Sequence, residues 1–243
     1  YGSDIIFRDE SFRLEGPGLV LVMGPNGSGK TTLFKAMLGL LQLVKGRVVI
    51  NDIDVTGKPE LAGKLIGYVP QIPELNTSFP ISVREIVESA IILREPPPRL
   101  TTPRKVRETV SEILKKLDLS DVADKPLKSL SGGQRQRAFL ARALVWDPSI
   151  LIMDEPLSAI DPKGKSEMVD LIADLSRRKL VVISSHDPGL FLPYIKTVML
   201  VNRGIVALGS PAETLRLEIL KNVYGGSVTL IHECVHVVDT HVY

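Results

Sequence analysis

The feature that most constrains the fold is a glycine-rich turn between an apolar run and an amphipathic segment. The turn, Gly24–Thr31, reads GPNGSGKT and fits the phosphate-loop pattern G-x-x-x-x-G-K-[ST]. The apolar run Leu19–Met23 predicts a buried strand, and Thr32–Leu38 predicts a helix. Glycines in such a turn let backbone N–H groups point inward around phosphates, and the helix N-terminus adds its dipole. The sequence therefore predicts a strand–loop–helix unit that binds a nucleotide.

Two side chains in this turn have the chemistry to hold the phosphates and their metal ion. We expect Lys30 to reach the β- and γ-phosphates, and the Thr31 hydroxyl to bind Mg²⁺. Neighbouring backbone and side-chain groups complete the predicted site. The residues predicted to bind the nucleotide here are Gly24, Pro25, Asn26, Gly27, Ser28, Gly29, Lys30, Thr31 and Thr32.

A second apolar run ends in two acidic residues. Ile150–Met153 leads directly into Asp154 and Glu155, as a buried parallel strand does when it delivers carboxylates to the edge of a sheet. Asp154 is placed to hold Mg²⁺, and Glu155 to polarise an attacking water molecule. The alternative is that both acids belong to the N-terminus of a following helix, where the dipole favours them.

The pentapeptide Leu130–Gln134, with the sequence LSGGQ, lies between these two motifs. A helix that continues from it would offer the Ser131 hydroxyl and backbone N–H groups to an anion. The alternative is a simple helix cap of Ser131 with Gln134, which leaves the glycine pair unexplained. With this pentapeptide between a phosphate loop and an acidic strand, the chain resembles the nucleotide-binding subunit of the ATP-binding cassette (ABC) superfamily. The resemblance covers roughly residues 1–225.

The resemblance implies which nucleotide is bound and how its site is completed. ATP with Mg²⁺ would bind at the phosphate loop, and two subunits would form a head-to-tail homodimer. The pentapeptide of each subunit would then close over the ATP held by the other. The residues implied in this contact are Ser131, Gly132, Gly133 and Gln134. Because family members that only bind ATP often replace the second acid of the strand, the presence of Glu155 implies hydrolysis.

Four further residues take implied roles from their motifs. Gln71, after the run YVP, resembles the Gln loop, which contacts Mg²⁺ and the attacking water. His186 follows an apolar strand pattern, where ligands of α/β sheets collect, and resembles the switch histidine that hydrogen-bonds the γ-phosphate. Asp161 resembles the Asp loop that crosses the dimer. Tyr1 lies where the family places an aromatic ring to stack on adenine, and a frayed terminus is its alternative.

The predicted fold class is α/β. The resemblance implies a RecA-like P-loop NTPase core with an N-terminal antiparallel β subdomain and an inserted α-helical subdomain. Residues 1–72 and 128–225 would form the catalytic lobe, residues 73–127 the helical subdomain and residues 226–243 a β-rich tail. Apolar residues at helical spacing over 82–93 and 102–119 agree with the helical subdomain. The sequence contains no internal repeat, so we expect a single nucleotide-binding domain.

Composition narrows the classes of partner. A formal charge of +2 gives no basis for binding nucleic acid or an anionic membrane over the whole surface. Cys234 is the only cysteine, which excludes an intrachain disulfide and suits a reducing compartment. No apolar run approaches the ~18 residues of a membrane span, and we expect no signal peptide. A transporter subunit of this kind would lie at the cytoplasmic face of the cell membrane, with separate integral membrane permease subunits and, indirectly, an extracellular substrate-binding protein.

Three classes of ABC protein carry motifs of this type, and the motor subunit of a transporter is the preferred prediction. Chromosome-maintenance and DNA-repair ATPases insert very long coiled coils, whereas about 100 residues separate Lys30 from Ser131 here. Soluble ABC ATPases of translation normally carry two cassettes in one chain. The segments 66–71 and 79–87 resemble uptake systems for zinc, manganese or iron. Uptake of iron-siderophore complexes, haem or cobalamin, or of another substrate, is the nearest alternative.

Three of the four histidines lie near the end of the chain. The β-branched residues of segment 228–241 predict one strand after the cassette. Alternation along a strand would place His232, Cys234 and His236 on one face, and such ligands suit zinc. The segment therefore predicts a metal-sensing tail. The alternative is an edge strand whose histidine and cysteine side chains pack against the cassette.

Overall fold

The computed structural model describes residues 5–71, 81–94, 103–185 and 188–225, and the backbone of two short strands that follow. In chain order the strands are β1 (Gly18–Met23), β2 (Val49–Ile50), β3 (Ile53–Asp54), β4 (Ile66–Val69), β5 (Ile150–Met153), β6 (Leu180–Ser184), β7 (Ile195–Val201), β8 (Ile205–Gly209), β9 (Val228–Ile231) and β10 (Cys234–Val237). The helices are α1 (Lys30–Met37), α2 (Pro59–Leu65), α3 (Val83–Arg94), α4 (Pro103–Lys116), α5 (Gly132–Leu144), α6 (Pro162–Ser176), α7 (Pro211–Thr214) and α8 (Leu217–Tyr224).

The central sheet has six strands in the order β4-β5-β6-β1-β7-β8. The first five strands are parallel to their neighbours, and β8 pairs antiparallel with β7 at one edge. Uninterrupted apolar runs such as β1 and β5 are typical of parallel strands that are covered on both faces. The predicted α/β fold class is therefore confirmed. The carboxyl ends of β1, β4, β5 and β6 share one edge of the sheet, where ligands of such sheets bind.

Side chains of β1 alternate between two apolar clusters, one on each face of the sheet. Leu19 and Leu21 belong to the cluster that also contains α3, α4, α5 and α6 side chains. Val20 and Val22 belong to the other cluster, which contains the apolar side of α1. All four side chains are 0 % or 1 % exposed, so the turn that follows β1 starts from a strand that is buried on both faces of the sheet.

The helices predicted over 82–93 and 102–119 correspond to α3 and α4. Both contact each other, and both contact α5, the helix that begins at the LSGGQ pentapeptide. Helix α4 ends earlier than predicted, at Lys116, and Asp118 adopts a left-handed backbone with φ of 55° that no α-helix continues through. The division of the chain at residues 73 and 127 into a catalytic lobe and a helical subdomain stays a prediction.

The antiparallel β subdomain expected near the N-terminus is small in the part of the chain that the structure describes. It consists of the pairing of β2 with β3, two residues each. Residues 5–17 precede β1 without forming a strand. Among the described residues, no helix combines the length and apolar character that crossing a bilayer requires.

The segment after α8 forms a hairpin rather than the predicted single strand. Strands β9 and β10 pair antiparallel, with Cys234 opposite Ile231. The single-strand prediction is wrong because β-branched residues favour strands without indicating where the chain reverses, and a two-residue connection suffices for a hairpin. The argument that placed His232, Cys234 and His236 on one face of one strand is lost with it. His232 lies outside the described residues, and zinc binding by the tail stays a prediction.

Zinc titration by calorimetry tests the tail directly. If the tail holds the ion, the full chain should bind zinc at least about 10-fold more tightly than a chain that ends at Gly226, since losing ligands costs this much or more. Cys234→Ser in the full chain should remove the difference. Equal and weak binding by all three proteins would contradict a zinc site in the tail.

Candidate functional site

The glycine-rich turn leaves β1 at Met23 and ends at Lys30, the first residue of α1. Gly29 precedes the helix in a left-handed conformation with φ of 107°, which residues with a side chain rarely adopt. Gly24 has no space for a side chain, because a Cβ atom there would lie 2.1 Å from the carbonyl oxygen of Val201. The backbone path of the turn therefore requires both glycines.

A cleft of about 290 Å³ opens at this turn. It brings together the phosphate loop, the predicted Gln-loop residue and the acidic pair at the end of β5. The lining residues are Ile6, Asn26, Gly27, Ser28, Gly29, Lys30, Thr31, Thr32, Gln71, Asp154 and Glu155. Gly24 and Pro25, which were also predicted to bind the nucleotide, are not part of this lining and contribute carbonyl oxygens to the Lys30 side chain instead.

The ammonium group of Lys30 lies at the loop and the residue is 9 % exposed. It donates to the carbonyl oxygen of Gly24 at 2.6 Å and to that of Pro25 at 3.1 Å. Because an ammonium group has three donors on a flexible stem, it can exchange these carbonyls for phosphate oxygens. The loop thus presents a cation to any anion that binds within it.

Thr31 and Asp154 meet in this cleft from distant parts of the sequence. Thr31 Oγ1 donates to Asp154 Oδ2 at 3.0 Å, and Asp154 is only 3 % exposed. The N–H of Asp154 donates to the carbonyl of Val69 on β4 at 2.9 Å, which anchors the acid at the end of β5. Tyr68 stays protonated nearby, because burial and, less strongly, the charge of Asp154 raise its pKa to about 12. Thr31 and Asp154 place two oxygen atoms close together, and such hard oxygen ligands suit Mg²⁺.

Glu155 has an unusual backbone conformation for a residue with a side chain. Its φ is 50°, in the left-handed region, which costs on the order of 1–3 kcal/mol and persists only where the surroundings hold it. The residue is 8 % exposed and lines the cleft. Its N–H donates to Ser184 Oγ at 2.9 Å, and the same hydroxyl donates to Asp154 Oδ1 at 2.6 Å. The two acids therefore share a serine partner at the end of β6.

A turn from the last third of the chain supports the phosphate loop from outside. Arg203, between β7 and β8, donates its backbone N–H to the carbonyl of Ser28 at 2.9 Å. The neighbouring Asn202 donates its side-chain amide to the carbonyl of Val223 in α8 at 3.2 Å. Ile6 lines the cleft from the N-terminal side. The sequence motifs singled out none of these contacts, because each depends on strand order rather than on a local pattern.

Several residues of the LSGGQ pentapeptide make structural contacts within their own chain. Ser131 caps α5, since its Oγ accepts from the Gln134 N–H at 3.2 Å while Gln134 Oε1 accepts from the Ser131 N–H at 3.1 Å. Gly132 has no space for a side chain, because a Cβ atom there would lie 1.6 Å from the carbonyl oxygen of Ala159. At Gly133 a Cβ atom would meet only one side-chain carbon, at an ordinary distance of 3.6 Å. Capping therefore explains Ser131 and Gln134, and packing within the chain explains Gly132. Neither explains why position 133 is a glycine.

A second cleft, of about 540 Å³, lies over the starts of α5 and α6. Its lining residues are Asp118, Ser131, Gly133, Gln134, Arg137, Asp161, Lys163, Gly164, Glu167 and Met168. Asp161 caps α6 by accepting from the Gly164 N–H at 3.4 Å. Arg137 pairs with Asp118 at 2.9 Å and with Glu167 at 2.7 Å. The two clefts share no lining residue, so the phosphate loop and the pentapeptide of one chain do not form a common site.

Two of the residues predicted for the nucleotide site, Tyr1 and His186, lie outside the described part of the chain. Adenine stacking by Tyr1 and γ-phosphate contact by His186 stay predictions. Within the described ranges, no group of three or more histidine, cysteine, aspartate or glutamate side chains is arranged to hold a metal ion. In the nucleotide cleft, the Thr31 hydroxyl and the Asp154 carboxylate are oxygen ligands that suit a metal, and contact of Gln71, which lines the same cleft, with Mg²⁺ stays a prediction.

Comparison with known proteins gives matches along most of the chain. The model of the family described as "ABC transporter" matches residues 7–158. The manganese transport system ATP-binding protein MntA of Synechocystis is 36% identical over 217 residues, which are 86% of this chain and 80% of that protein. A probable metal transport system ATP-binding protein of Thermotoga maritima is 36% identical over 90% of this chain and 84% of its own length. The lipopolysaccharide export protein LptB of Haemophilus influenzae is 33% identical, over 93% of both chains.

Solved structures with the same fold agree with these matches. An inward-facing putative metal-chelate type ABC transporter has a TM-score of 0.78 and 25% identity, over 96% of this chain and 90% of the solved one. The dimeric bacterial ABC transporter cassette MJ0796 has a TM-score of 0.73 and 25% identity, over 84% of this chain and 90% of the solved one.

Proposed function

Because this chain belongs to the ABC transporter family, we propose that it is the ATP-hydrolysing motor subunit of a transporter that imports transition-metal ions such as zinc, manganese or iron. The observation that carries the hydrolytic role is the meeting of the phosphate loop, the Thr31–Asp154 pair and Glu155 in one cleft. A cleft that only bound a nucleotide would have no need of a buried acid in a strained conformation beside the metal ligands.

The geometry of this cleft supports a direct mechanism. Lys30 and the inward N–H groups of the loop bind the phosphates of ATP. Thr31 Oγ1 and Asp154 Oδ2 would hold Mg²⁺, which when bound offsets the negative charge of the phosphates. Glu155 accepts a proton from a water molecule while the water oxygen bonds to the γ-phosphorus and the bond to the β–γ bridging oxygen breaks, releasing ADP. Gln71, at the same cleft, would orient that water.

A head-to-tail homodimer would complete each site with the second cleft of the other subunit. The support in this chain is Gly133, whose open side chain position has no internal explanation, next to the exposed hydroxyl of Ser131. The N-terminus of α5 presents backbone N–H groups and has no phosphate loop of the same chain beside it. Such a helix start is suited to bind the γ-phosphate of ATP held by the other subunit. Asp161, in the same cleft, would also contact the partner subunit across the dimer interface. The dimeric form of MJ0796 supports the same assembly.

The proposed motor acts with membrane-spanning permease subunits at the cytoplasmic face of the cell membrane, and an extracellular substrate-binding protein delivers the ion. The names of the manganese and metal transport relatives support metal ions as the substrate. The lipopolysaccharide export relative matches over a similar length, because the cassette supplies the ATP chemistry while the permease and the binding protein select the substrate.

Reconstitution tests the substrate. The chain, its co-purifying permease and the binding protein would be incorporated into lipid vesicles, with Glu155→Gln vesicles as the inactive control. We expect manganese, zinc or iron, supplied on the side of the binding protein, to stimulate ATP hydrolysis. Stimulation by an iron-siderophore complex, haem or cobalamin in place of free ions would replace the metal-ion proposal, and indifference to all of them would contradict import of these substrates.

A further inference from the structure

We propose that Ser184 is a positioning residue that fixes the metal-binding carboxylate of Asp154 and the backbone of Glu155 in one arrangement. The proposal rests on the function proposed above for these two acids. Ser184 is the last residue of β6 and is 0 % exposed. Its hydroxyl contacts both acids and lines neither cleft. It therefore acts on the reaction through other residues.

The direction of each hydrogen bond follows from the chemistry of the groups. The backbone N–H of Glu155 donates to Ser184 Oγ at 2.9 Å, so this bond uses a lone pair of the hydroxyl. An ionised carboxylate only accepts, so the hydroxyl proton points to Asp154 Oδ1, 2.6 Å away. This distance is typical of a charge-assisted O–H···O⁻ bond, which is about twice as strong as a neutral one. One hydroxyl therefore acts as donor and acceptor at once, with its proton in a fixed direction.

The bond to Asp154 fixes the orientation of the carboxylate that would hold the metal ion. Oδ1 accepts from Ser184 on β6, and Oδ2 accepts from Thr31 on α1. The carboxylate plane is thus held between a strand and the helix that follows the phosphate loop. Without the serine hydroxyl, Thr31 would have to orient the carboxylate while also serving as a ligand of the same ion. Partners that orient a metal ligand typically change metal affinity or activity by 10–100-fold when they are removed.

The bond to Glu155 supports a backbone conformation that is strained. A left-handed residue with a side chain, here at φ of 50°, is stable only where its surroundings hold it. The Glu155 N–H needs an acceptor because this part of the chain is buried, and Ser184 Oγ supplies one. Loss of the acceptor would allow the backbone to relax and would move the carboxylate relative to the attacking water. A displacement of about 1 Å can cost 100-fold in rate.

The test compares Ser184→Ala with Ser176→Ala. Ser176 is a matched control, because it is also buried, at 7 % exposed, and its hydroxyl donates at 2.7 Å to a carbonyl within α6, away from both clefts. We expect Ser184→Ala to lower kcat and to raise the Mg²⁺ concentration for half-maximal ATP hydrolysis, each by about 10-fold or more. The Kd for a fluorescent ATP analogue without Mg²⁺ should stay unchanged, because Ser184 does not touch the loop. In Ser184→Thr the Mg²⁺ concentration for half-maximal hydrolysis should return part of the way to that of the unmodified protein, since threonine keeps the hydroxyl.

A merely structural serine would give a different result. Equal Mg²⁺ dependence and turnover in Ser184→Ala and the unmodified protein would overturn the proposal, and so would the same Mg²⁺ shift in Ser176→Ala. If Ser184→Ala does not fold, Ser184→Cys carries the test, because a thiol fills the volume but is a weak donor and acceptor. Glu155→Gln distinguishes failure of the proposed function from failure of the positioning role of Ser184. Full activity of Glu155→Gln would refute the proposed roles of the acids. An inactive Glu155→Gln together with a normal Ser184→Ala would refute only the positioning role.

Discussion

Replacing Glu155 with glutamine is expected to lower the rate of ATP hydrolysis by roughly 100- to 10,000-fold, the usual contribution of a general base. Glutamine has the shape of glutamate and still forms hydrogen bonds, but it does not accept the proton of the attacking water. The phosphate loop, Thr31 and Asp154 are unchanged, so ATP and Mg²⁺ should still bind. Because hydrolysis is what separates the two subunits in the proposed cycle, the variant should accumulate as an ATP-bound dimer.

Two measurements check this expectation. Steady-state phosphate release gives the rate, and size-exclusion chromatography with ATP and Mg²⁺ gives the oligomeric state. Glu112→Gln is the control, because Glu112 is an exposed residue of α4 that lines neither cleft, and it should behave as the unmodified protein. Hydrolysis by Glu155→Gln at the unmodified rate would show that another group accepts the proton.

Ser131→Arg should abolish the ATP-dependent dimer while each monomer still binds ATP. Ser131 is exposed in the second cleft, and an arginine there would occupy the space that the γ-phosphate of the partner needs. The lost helix cap costs only about 1 kcal/mol, so the chain should remain folded. In the Glu155→Gln background, we expect the dimer peak to disappear and the Kd of the monomer for ATP to change little.

Ser129→Arg is the matched control for this substitution. Ser129 is exposed, lies two positions earlier and does not line either cleft, so it adds the same charge and bulk outside the proposed contact. The control should still form the dimer with ATP. A dimer that survives Ser131→Arg would show that the pentapeptide does not close over the nucleotide of a partner.

The sequence predicted those parts of the structure that are determined by interactions among neighbouring residues. The phosphate loop and the strand before Asp154 were predicted correctly, because glycine conformations and uninterrupted apolar runs act over a few neighbouring residues. The helix ending at Lys116 was predicted three residues too long, since the apolar spacing continues beyond the point where Asp118 turns left-handed. The hairpin of β9 and β10 was missed because composition indicates strands without indicating reversals.

The contacts that complete the site depend on strand order instead. Ser184 reaches Asp154 because β6 lies beside β5 in the sheet, although 30 residues separate the two positions. The steric requirement for Gly132 comes from the carbonyl of Ala159, and only packing of α5 beside the loop before α6 reveals it. Such pairs carry no signal in one sequence, since each residue type is common and each partner is distant.

The position of β1 between β6 and β7 has a consequence for the order in which this protein is made. The segment that carries the phosphate loop leaves the ribosome before both strands that hydrogen-bond to β1, because these come from residues 180–201. The carbonyl that packs against Gly24 and the N–H that holds Ser28 come from Val201 and Arg203. A nascent chain therefore carries an unsupported loop until the residues up to Arg203 have been synthesised. We expect it to gain the ability to hold ATP late and in one step, when β7 and the turn after it close the sheet around β1.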